Sequence, residues 1–552
     1  MKSYLQMNKE ELAALREELC RKYEDYKEMG LSLDMSRGKP SLDQMALSMG
    51  MFVDGCDPAK WMTEDGIDCR NYGMLEGVPQ ARRLMAAMMD CDPDQIIIGG
   101  NSSLNMMYDV VMRAKVFGIL GNKPWGELPL VHFLCPVPGY DRHFKILEEL
   151  GINMINVPMT EDGPDMDMVE RLVASDPMIK GIWCVPKFSN PTGTVYSDET
   201  VRRLAAMKPA AKDFRIFWDN AYAVHYLYED EQPQILDILK ECAKAGHPDM
   251  VYEFASTSKV TMSGAGIAAF ASSPKNVAEF KKRLSVQTIG YDKLNMLRHV
   301  NLLKDEETLK AHMMKHAAII RPKFETVEEI LEEELGGLEI GSWNKPLGGY
   351  FISFQAHVGC AKKIVEYCKN AGVVMTGAGA AFPYGKDPQD SNIRIAPTYP
   401  GLNELKIATR LFALCVKLVT VDKLIQELSI DPIIKEVFTQ EDYDAIMAME
   451  EHRVKEFYET KPVGDYIVKV THKPQRFRRE RMLYIVQLNG YHDNLVNDDM
   501  YWRAEPKKFF AGTPTLQQIW DALQENLDYF RDKKEFHVSK LNLTFDKIEF
   551  DS

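Results

Sequence analysis

From about Asp90 onward the chain alternates short apolar runs with longer amphipathic ones, and this alternation limits its fold more than any other feature. "QIIIGG" (95–100), "LPLVHFLCPVPGY" (128–140), "INMINVPM" (152–159), "IKGIWCVPKFSN" (179–190), "FRIFWDN" (214–220) and "DMVYEFASTSK" (249–259) have the length and composition of buried strands. Helical patterns such as "NSSLNMMYDVVMRAKVFGIL", "YDRHFKILEEL" and "DETVRRLAAMK" separate several of them. Strands that are apolar along their whole length, with helices between them, predict an α/β protein built on a mostly parallel sheet covered on both faces.

The chain has 552 residues, more than one hydrophobic core supports, and its 45% hydrophobic content suffices for several. The patterning divides it into an N-terminal helix and arm (1–50), a large domain (51–300), a smaller α/β subdomain (301–430) and an appended α+β module (431–552). The small subdomain is marked by a long helical segment near 305–334, by "GGYFISF" as a strand and by "CAKKIVEYCKNAG" as a helix. In the module, "DYIVKVTHK", "RMLYIVQLNGYHDN" and "SKLNLTFDKIEF" have strand patterns and "PTLQQIWDALQENLDYF" a helical one. A net charge of -14 argues against a nucleic-acid binder. The basic run "KPQRFRRER" (473–481) is then expected to be a solvated edge or an intersubunit contact. The ten cysteines form no CxxC pair and no cluster with His, so neither a metal site nor a disulfide framework is expected. With no signal-peptide pattern and no run of the roughly 20 apolar residues that span a bilayer, a reduced, cytoplasmic protein is expected.

Four stretches fall where predicted strands end, the side on which doubly wound sheets bind ligands. "GGNSS" (99–103) offers Ser102, Ser103 and free N–H groups at a helix start, suited to a phosphate or to simple capping. "FSNPTG" sets Asn190 in a tight turn. "FWDNAY" ends an apolar strand on Asp219, with Tyr222 three residues on. Such an acid either caps a helix or needs a hydrogen-bonding or cationic partner to stay charged. "STSK" brings Ser256, Ser258 and Lys259 into a setting of small residues, where the lysine either snorkels outward or carries a partly desolvated amine. One ligand satisfies all four. Pyridoxal 5'-phosphate has a phosphate for the serines, a ring nitrogen for Asp219, a phenolic oxygen for Asn190 and Tyr222, and an aldehyde to form a Schiff base with Lys259. Gly264 and Gly266 in "SKVTMSGAG" would let backbone pass close to it.

With "NPTG" (190–193), "DNAY" (219–222), "STSK" (256–259) and "NIRIAPTYP" (392–400) in this order, the chain resembles the fold-type I pyridoxal-phosphate aminotransferases, the family of aspartate aminotransferase. "SRGKPSLDQMALS" (36–48) and "SKVTMSGAG" (258–266) bring it nearest a divergent branch, and the resemblance spans roughly residues 30–425. It implies a three-layer fold, a homodimer with shared active sites, and amino acid and 2-oxo acid substrates, without nucleic-acid or membrane partners. It further implies that Asp219 pairs with the pyridine nitrogen, that Asn190 and Tyr222 bind the ring hydroxyl, and that Tyr140 stacks on the ring with His143 behind the aspartate. Ser102, Ser103, Ser256 and Ser258 match phosphate positions, and Tyr72 matches a tyrosine reaching the neighbouring subunit's phosphate. Arg394 matches the clamp for the substrate's α-carboxylate, with Gly38 and Asn190 beside it. An arginine common in relatives after the Schiff-base lysine is missing from "KVTMSGAGIAAF"; Lys187 is a candidate replacement. Arg37 and Lys39 are candidates for a second substrate carboxylate, or are solvated loop charges.

The activity implied is transfer of an amino group, with aspartate as donor and 2-oxoglutarate as acceptor, Lys259, Asp219 and Tyr222 being the catalytic set. Alternatives on the same constellation are an amino acid decarboxylase or lyase of the aspartate 4-decarboxylase type, or an aromatic or alanine donor. A DNA-binding regulator on this fold would carry a DNA-binding domain ahead of it, where about 30 residues stand here.

Overall fold

The structure, a computed structural model, describes residues 2–54, 57, 60–430, 432–447, 459–463, 466–472, 483–492, 501–503, 508–511, 514–532 and 538–548. The basic run 473–481 and Cys56 lie outside the described residues. In chain order, the strands before residue 430 are β1 (Leu33–Asp34), β2 (Ile96–Gly99), β3 (His132–Val137), β4 (Asn153–Thr160), β5 (Gly163–Pro164), β6 (Ile179–Cys184), β7 (Arg215–Asp219), β8 (Val251–Ser256), β9 (Ala268–Ala271), β10 (Gly341–Trp343), β11 (Ile352–Ala356), β12 (Val373–Val374) and β13 (Asn392–Ile395).

Eight of these form one sheet in the order β2-β9-β8-β7-β6-β3-β4-β5. The pairs β8/β7, β7/β6, β6/β3 and β3/β4 are parallel. β2/β9, β9/β8 and β4/β5 are antiparallel. Every residue of β2, β3, β6 and β7 is buried, because successive side chains enter cores on opposite faces. Ile96, Ile98, Leu134, Ile216 and Trp218 pack into one core, while Ile97, Phe133, Cys135 and Phe217 pack into the other. This is the physical reason the runs read as continuous rather than alternating. β9 escaped sequence reading. Its "AAFA" lies inside the small-residue stretch after Lys259, where Ala and Gly mask a strand that returns antiparallel to β8.

The second unit is the antiparallel sheet β10-β11-β13, flanked by helices Glu306–Leu335, Ala361–Asn370 and Leu402–Ser429. The N-terminal segment belongs to it rather than forming a separate arm. Helix Lys9–Glu28 starts at a capping box, with Asn8 Oδ1 accepting from Glu11 N at 2.9 Å and Asn8 N donating to Glu11 Oε2 at 2.8 Å. Its Leu12, Leu19 and Tyr23 lie on one face and enter the same core as Phe324, Phe354 and Phe412. β1 then pairs with β12, which fixes the start of the segment carrying Arg37 and Gly38. Position 300, where the pattern suggests the large domain ends, falls inside helix Lys293–Leu303.

Beyond residue 430, β14 (Glu459–Val463), β15 (Tyr466–His472), β16 (Leu483–His492), β17 (Tyr501–Arg503), β18 (Lys508–Ala511) and β19 (Val538–Ile548) make a mixed sheet. Helix Leu516–Asp532 accompanies it and meets the preceding unit. Gln426 Nε2 donates to Asp521 Oδ2 at 2.7 Å, and Trp520 Nε1 donates to the Phe438 carbonyl at 2.8 Å.

Candidate active site

The carboxyl ends of β6, β7 and β8 and the loop after β3 converge on one cleft. It is lined by Gly38, Tyr140, Val185, Asn190, Asp219, Ala221, Tyr222, Lys259 and Phe351. Of the residues singled out in the sequence, Lys259, Asp219, Tyr222, Asn190, Tyr140 and Gly38 are thus brought together.

Asp219 is the last residue of β7 and is 2% exposed. Its Oδ2 accepts from His143 Nε2 at 2.8 Å, and its Oδ1 is buried without a partner. It does not cap a helix. His143 is held by a stack on Trp183, with centroids 4.3 Å apart and planes 10° from parallel. At 1% exposure it is no helix-surface residue. Tyr140 precedes helix Asp141–Glu149, and its ring lies edge-on to His143. Burial pushes the Tyr140 and Tyr222 hydroxyls far above the usual phenol range, so both remain protonated donors.

Lys259 stands three residues after β8, half-buried in the lining of the cleft. Its ammonium lies 4.8 Å from the centre of the Tyr222 ring. Desolvation lowers its pKa, with the charge of Asp219 opposing the shift. Asn190 sits in a turn closed by Ser189 N donating to the Thr194 carbonyl at 2.9 Å, and Gly193 there has φ +70°. Ser256 and Ser258 hydroxyls are 3.1 Å apart, and Ser258 Oγ lies 3.4 Å from the Asn101 carbonyl. This links them to Ser102 and Ser103, which open the 15-residue helix Ser103–Phe117. Ser102 makes no side-chain capping bond, so its hydroxyl is not consumed by the helix end. Gly266 packs against the turn after the lysine, where a Cβ would meet Thr257 Oγ1 at 3.0 Å. Gly264 has open space around it, so close backbone approach is not its reason.

Two expectations are corrected. Lys187 is not brought to the serines: its amine donates to the Tyr226 hydroxyl and lies 4.4 Å from that ring's centre, and burial lowers its pKa to about 8. Arg37 is exposed and does not line the cleft. Lys39 lies over the Tyr399 ring, 3.8 Å from its centre. Tyr72, expected at the neighbouring subunit's phosphate, is 81% exposed and does not line its own chain's cleft.

Arg394 projects from β13 beside the cleft. Its Nη1 donates to Asp141 Oδ1 at 2.9 Å and to Asn190 Oδ1 at 3.2 Å, and the guanidinium lies over the Phe351 ring at 4.9 Å. Sequence reading missed Asp141 and Phe351. An acid at the first position of a helix has an ordinary reason to be there, and nothing local shows that Arg394, 253 residues away, is its partner. Phe351 stands just before β11, two residues after a Gly-Gly pair, and carries no polar signal.

A mixed, largely parallel sheet with an acid on one central strand end and a lysine on the next is the arrangement of the fold-type I aminotransferases. The family model for aspartate amino-transferases matches residues 7–428. A putative aminotransferase of Mycolicibacterium smegmatis is 46% identical over 427 residues, spanning 77% of this chain and 99% of its own length. The aspartate aminotransferase of Corynebacterium glutamicum is 42% identical over 412 residues, spanning 74% and 94%. A solved aspartate transaminase structure from Corynebacterium glutamicum superposes with a TM-score of 0.75 at 41% identity, covering 76% of this chain and 99% of that one. The chain belongs to the aspartate amino-transferase family. Residues 429–552 lie outside the family match. Among the described residues, no helix is long and apolar enough to cross a membrane, and the nine cysteines are free.

Proposed function

We propose that the protein is a pyridoxal-phosphate-dependent aminotransferase that moves the amino group of aspartate to 2-oxoglutarate. The reading is carried by one juxtaposition: the amine of Lys259 and the unpartnered Oδ1 of Asp219 border a single cleft. A buried carboxylate oxygen without a donor is costly. A protonated ring nitrogen is the donor it lacks, and the hydroxyls of Ser102, Ser256 and Ser258 with the N-terminus of helix Ser103–Phe117 suit the phosphate. The residues therefore fit the cofactor.

When bound, pyridoxal phosphate supplies an aldehyde and a conjugated ring that draws electrons from the amino acid's α-carbon. The chain's own groups do the rest. Asp219, steadied by His143, holds the ring nitrogen in its charged form. Asn190 and Tyr222 would hydrogen-bond the ring oxygen, and Tyr140 would cover a ring face. Lys259 would hold the aldehyde carbon, and its amine, kept nearer neutrality by desolvation, serves as the base that takes the proton from the substrate's α-carbon. Arg394 receives the α-carboxylate through its planar fork. Tyr72, outside its own cleft, is assigned to the site of a second copy in a homodimer.

The aspartate preference is supported by the Corynebacterium glutamicum relative rather than by a second cation lining the cleft. A screen of amino donors with 2-oxoglutarate tests it. Glutamate and oxaloacetate are expected from aspartate, and Lys259→Ala should abolish both products. Alanine and carbon dioxide formed without an acceptor would replace this reading with a decarboxylase.

A further inference from the structure

We propose that Asp141 is an internal rival of the substrate's carboxylate for Arg394, so that binding is an exchange of one carboxylate for another. The inference rests on reading Arg394 as the carboxylate clamp.

Arg394 has little freedom. Its side chain is 9% exposed, the guanidinium lies over Phe351, and Asn190, a cleft residue, accepts from the same Nη1 that serves Asp141. Its Nε is buried with no hydrogen-bond partner. Arg394 and Asp141 together carry no net charge, so a carboxylate arriving beside them meets repulsion from Asp141 nearly equal to the attraction of the guanidinium. Attraction is recovered only when Asp141 leaves. Two features let it leave by side-chain rotation alone. Asp141 is 29% exposed, so it reaches solvent directly. It is also the first residue of helix Asp141–Glu149, whose N-terminal N–H groups stabilise its charge wherever it points within that turn. The backbone on either side stays fixed, because Tyr140 lines the cleft and His143 is tied to Asp219.

The exchange imposes a selection. A ligand bearing a carboxylate replaces what it removes, whereas a simple amine leaves the Arg394–Asp141 pair closed and gains nothing from the cation. Asp141 thereby helps decide which amines the cleft accepts, without touching the reacting atoms.

The experiment measures maleate, an unreactive dicarboxylate, binding to the full-length, cofactor-loaded protein by titration calorimetry. Wild type, Asp141→Asn, Asp141→Ser and Arg394→Gln are compared, with KM for the amino donor measured in parallel. Both Asp141 variants should bind maleate about tenfold more tightly, the change that ~1.4 kcal/mol produces, and should lower KM. A merely structural role for Asp141 would raise KM instead. Maleate affinity equal to or weaker than wild type in both Asp141 variants overturns the proposal, leaving Arg394 as a clamp that Asp141 only orients. If Arg394→Gln binds maleate as wild type does, or wild type does not bind it, the clamp reading itself fails and the exchange falls with it.

Discussion

Gly38 lines the cleft where the N-terminal segment meets Phe351, and Gly38→Ala tests how tightly that contact sets the site. A Cβ built on Gly38 lies 2.3 Å from Phe351 Cζ and 2.6 Å from Cε1. Ordinary carbon contacts sit at roughly 3.5–4.0 Å, so the ring must withdraw by about 1 Å. Phe351 is 6% exposed and carries the Arg394 guanidinium on its face, so it cannot retreat without disturbing that cation. Overpacking of this kind costs about 1–3 kcal/mol, and a displacement near 1 Å in a positioning group costs up to ~10²-fold in rate. We therefore expect kcat/KM for transamination to fall about 10–100-fold, equivalent to ~1.4–2.8 kcal/mol of transition-state stabilisation. Gly38→Ala/Phe351→Leu should recover at least part of that loss, because the smaller side chain vacates the clashing position. Steady-state kinetics of the single and double variants measures both. A Gly38→Ala enzyme with wild-type kcat/KM, or a double variant no better than the single, would refute the steric account.

The remaining predictions concern stability and assembly. His316 and His299 are held by burial at pKa values of about 4, against 6.5 for a free histidine, so the folded chain binds fewer protons than the unfolded one between those values. Stability is full above pH 6.5 and falls as the pH drops toward 4, by about 3 kcal/mol for each histidine; urea unfolding at pH 7 and pH 5 should show the loss, and His316→Gln should flatten it. Asp213 accepts from Lys180 Nζ and Trp125 Nε1, each at 2.7 Å, next to the start of β7 and away from the cleft. Asp213→Ala should therefore cost about 3–5 kcal/mol of stability, read by urea unfolding, while KM stays as in wild type. If Tyr72 completes a neighbour's site, mixing Tyr72→Ala with Lys259→Ala should restore turnover that neither has alone; no recovery after subunit exchange would place Tyr72 outside catalysis.

What could be read in the sequence follows the range over which each signal acts. The strands were legible because burial on both faces forces unbroken apolar runs such as "QIIIGG" and "FRIFWD". The site residues near those strand ends were legible because strand-end placement is a local property: Asp219 ends β7 and Lys259 stands three residues beyond β8, and neither depends on a distant partner to reach the cleft. What failed was pairing across long separations. Lys187 is four residues before Pro191 in sequence, yet the Tyr226 hydroxyl takes its amine. Arg394 was recognisable as a cation, but the acid that holds it lies 253 residues earlier. The same distinction explains β9, whose Ala-rich strand has no local β signal and exists because β8 and β2 supply hydrogen-bonding edges on either side.

The long-range contacts also account for how the site is kept in register. β13 brings Arg394 from the smaller sheet, β7 brings Asp219 from the larger, and the strap through Gly38 comes from a segment anchored by β1 on β12. The N-terminal segment and the smaller sheet, which share one core, therefore meet the larger sheet at Phe351, Asn190 and Asp141. A shift of one unit against the other would leave Asp219 with His143 and Lys259 undisturbed while carrying Arg394 away from Asn190. Mutations at the junction should thus move substrate affinity before they move the lysine's environment, whereas changes to the β7–β8 edge should do the reverse.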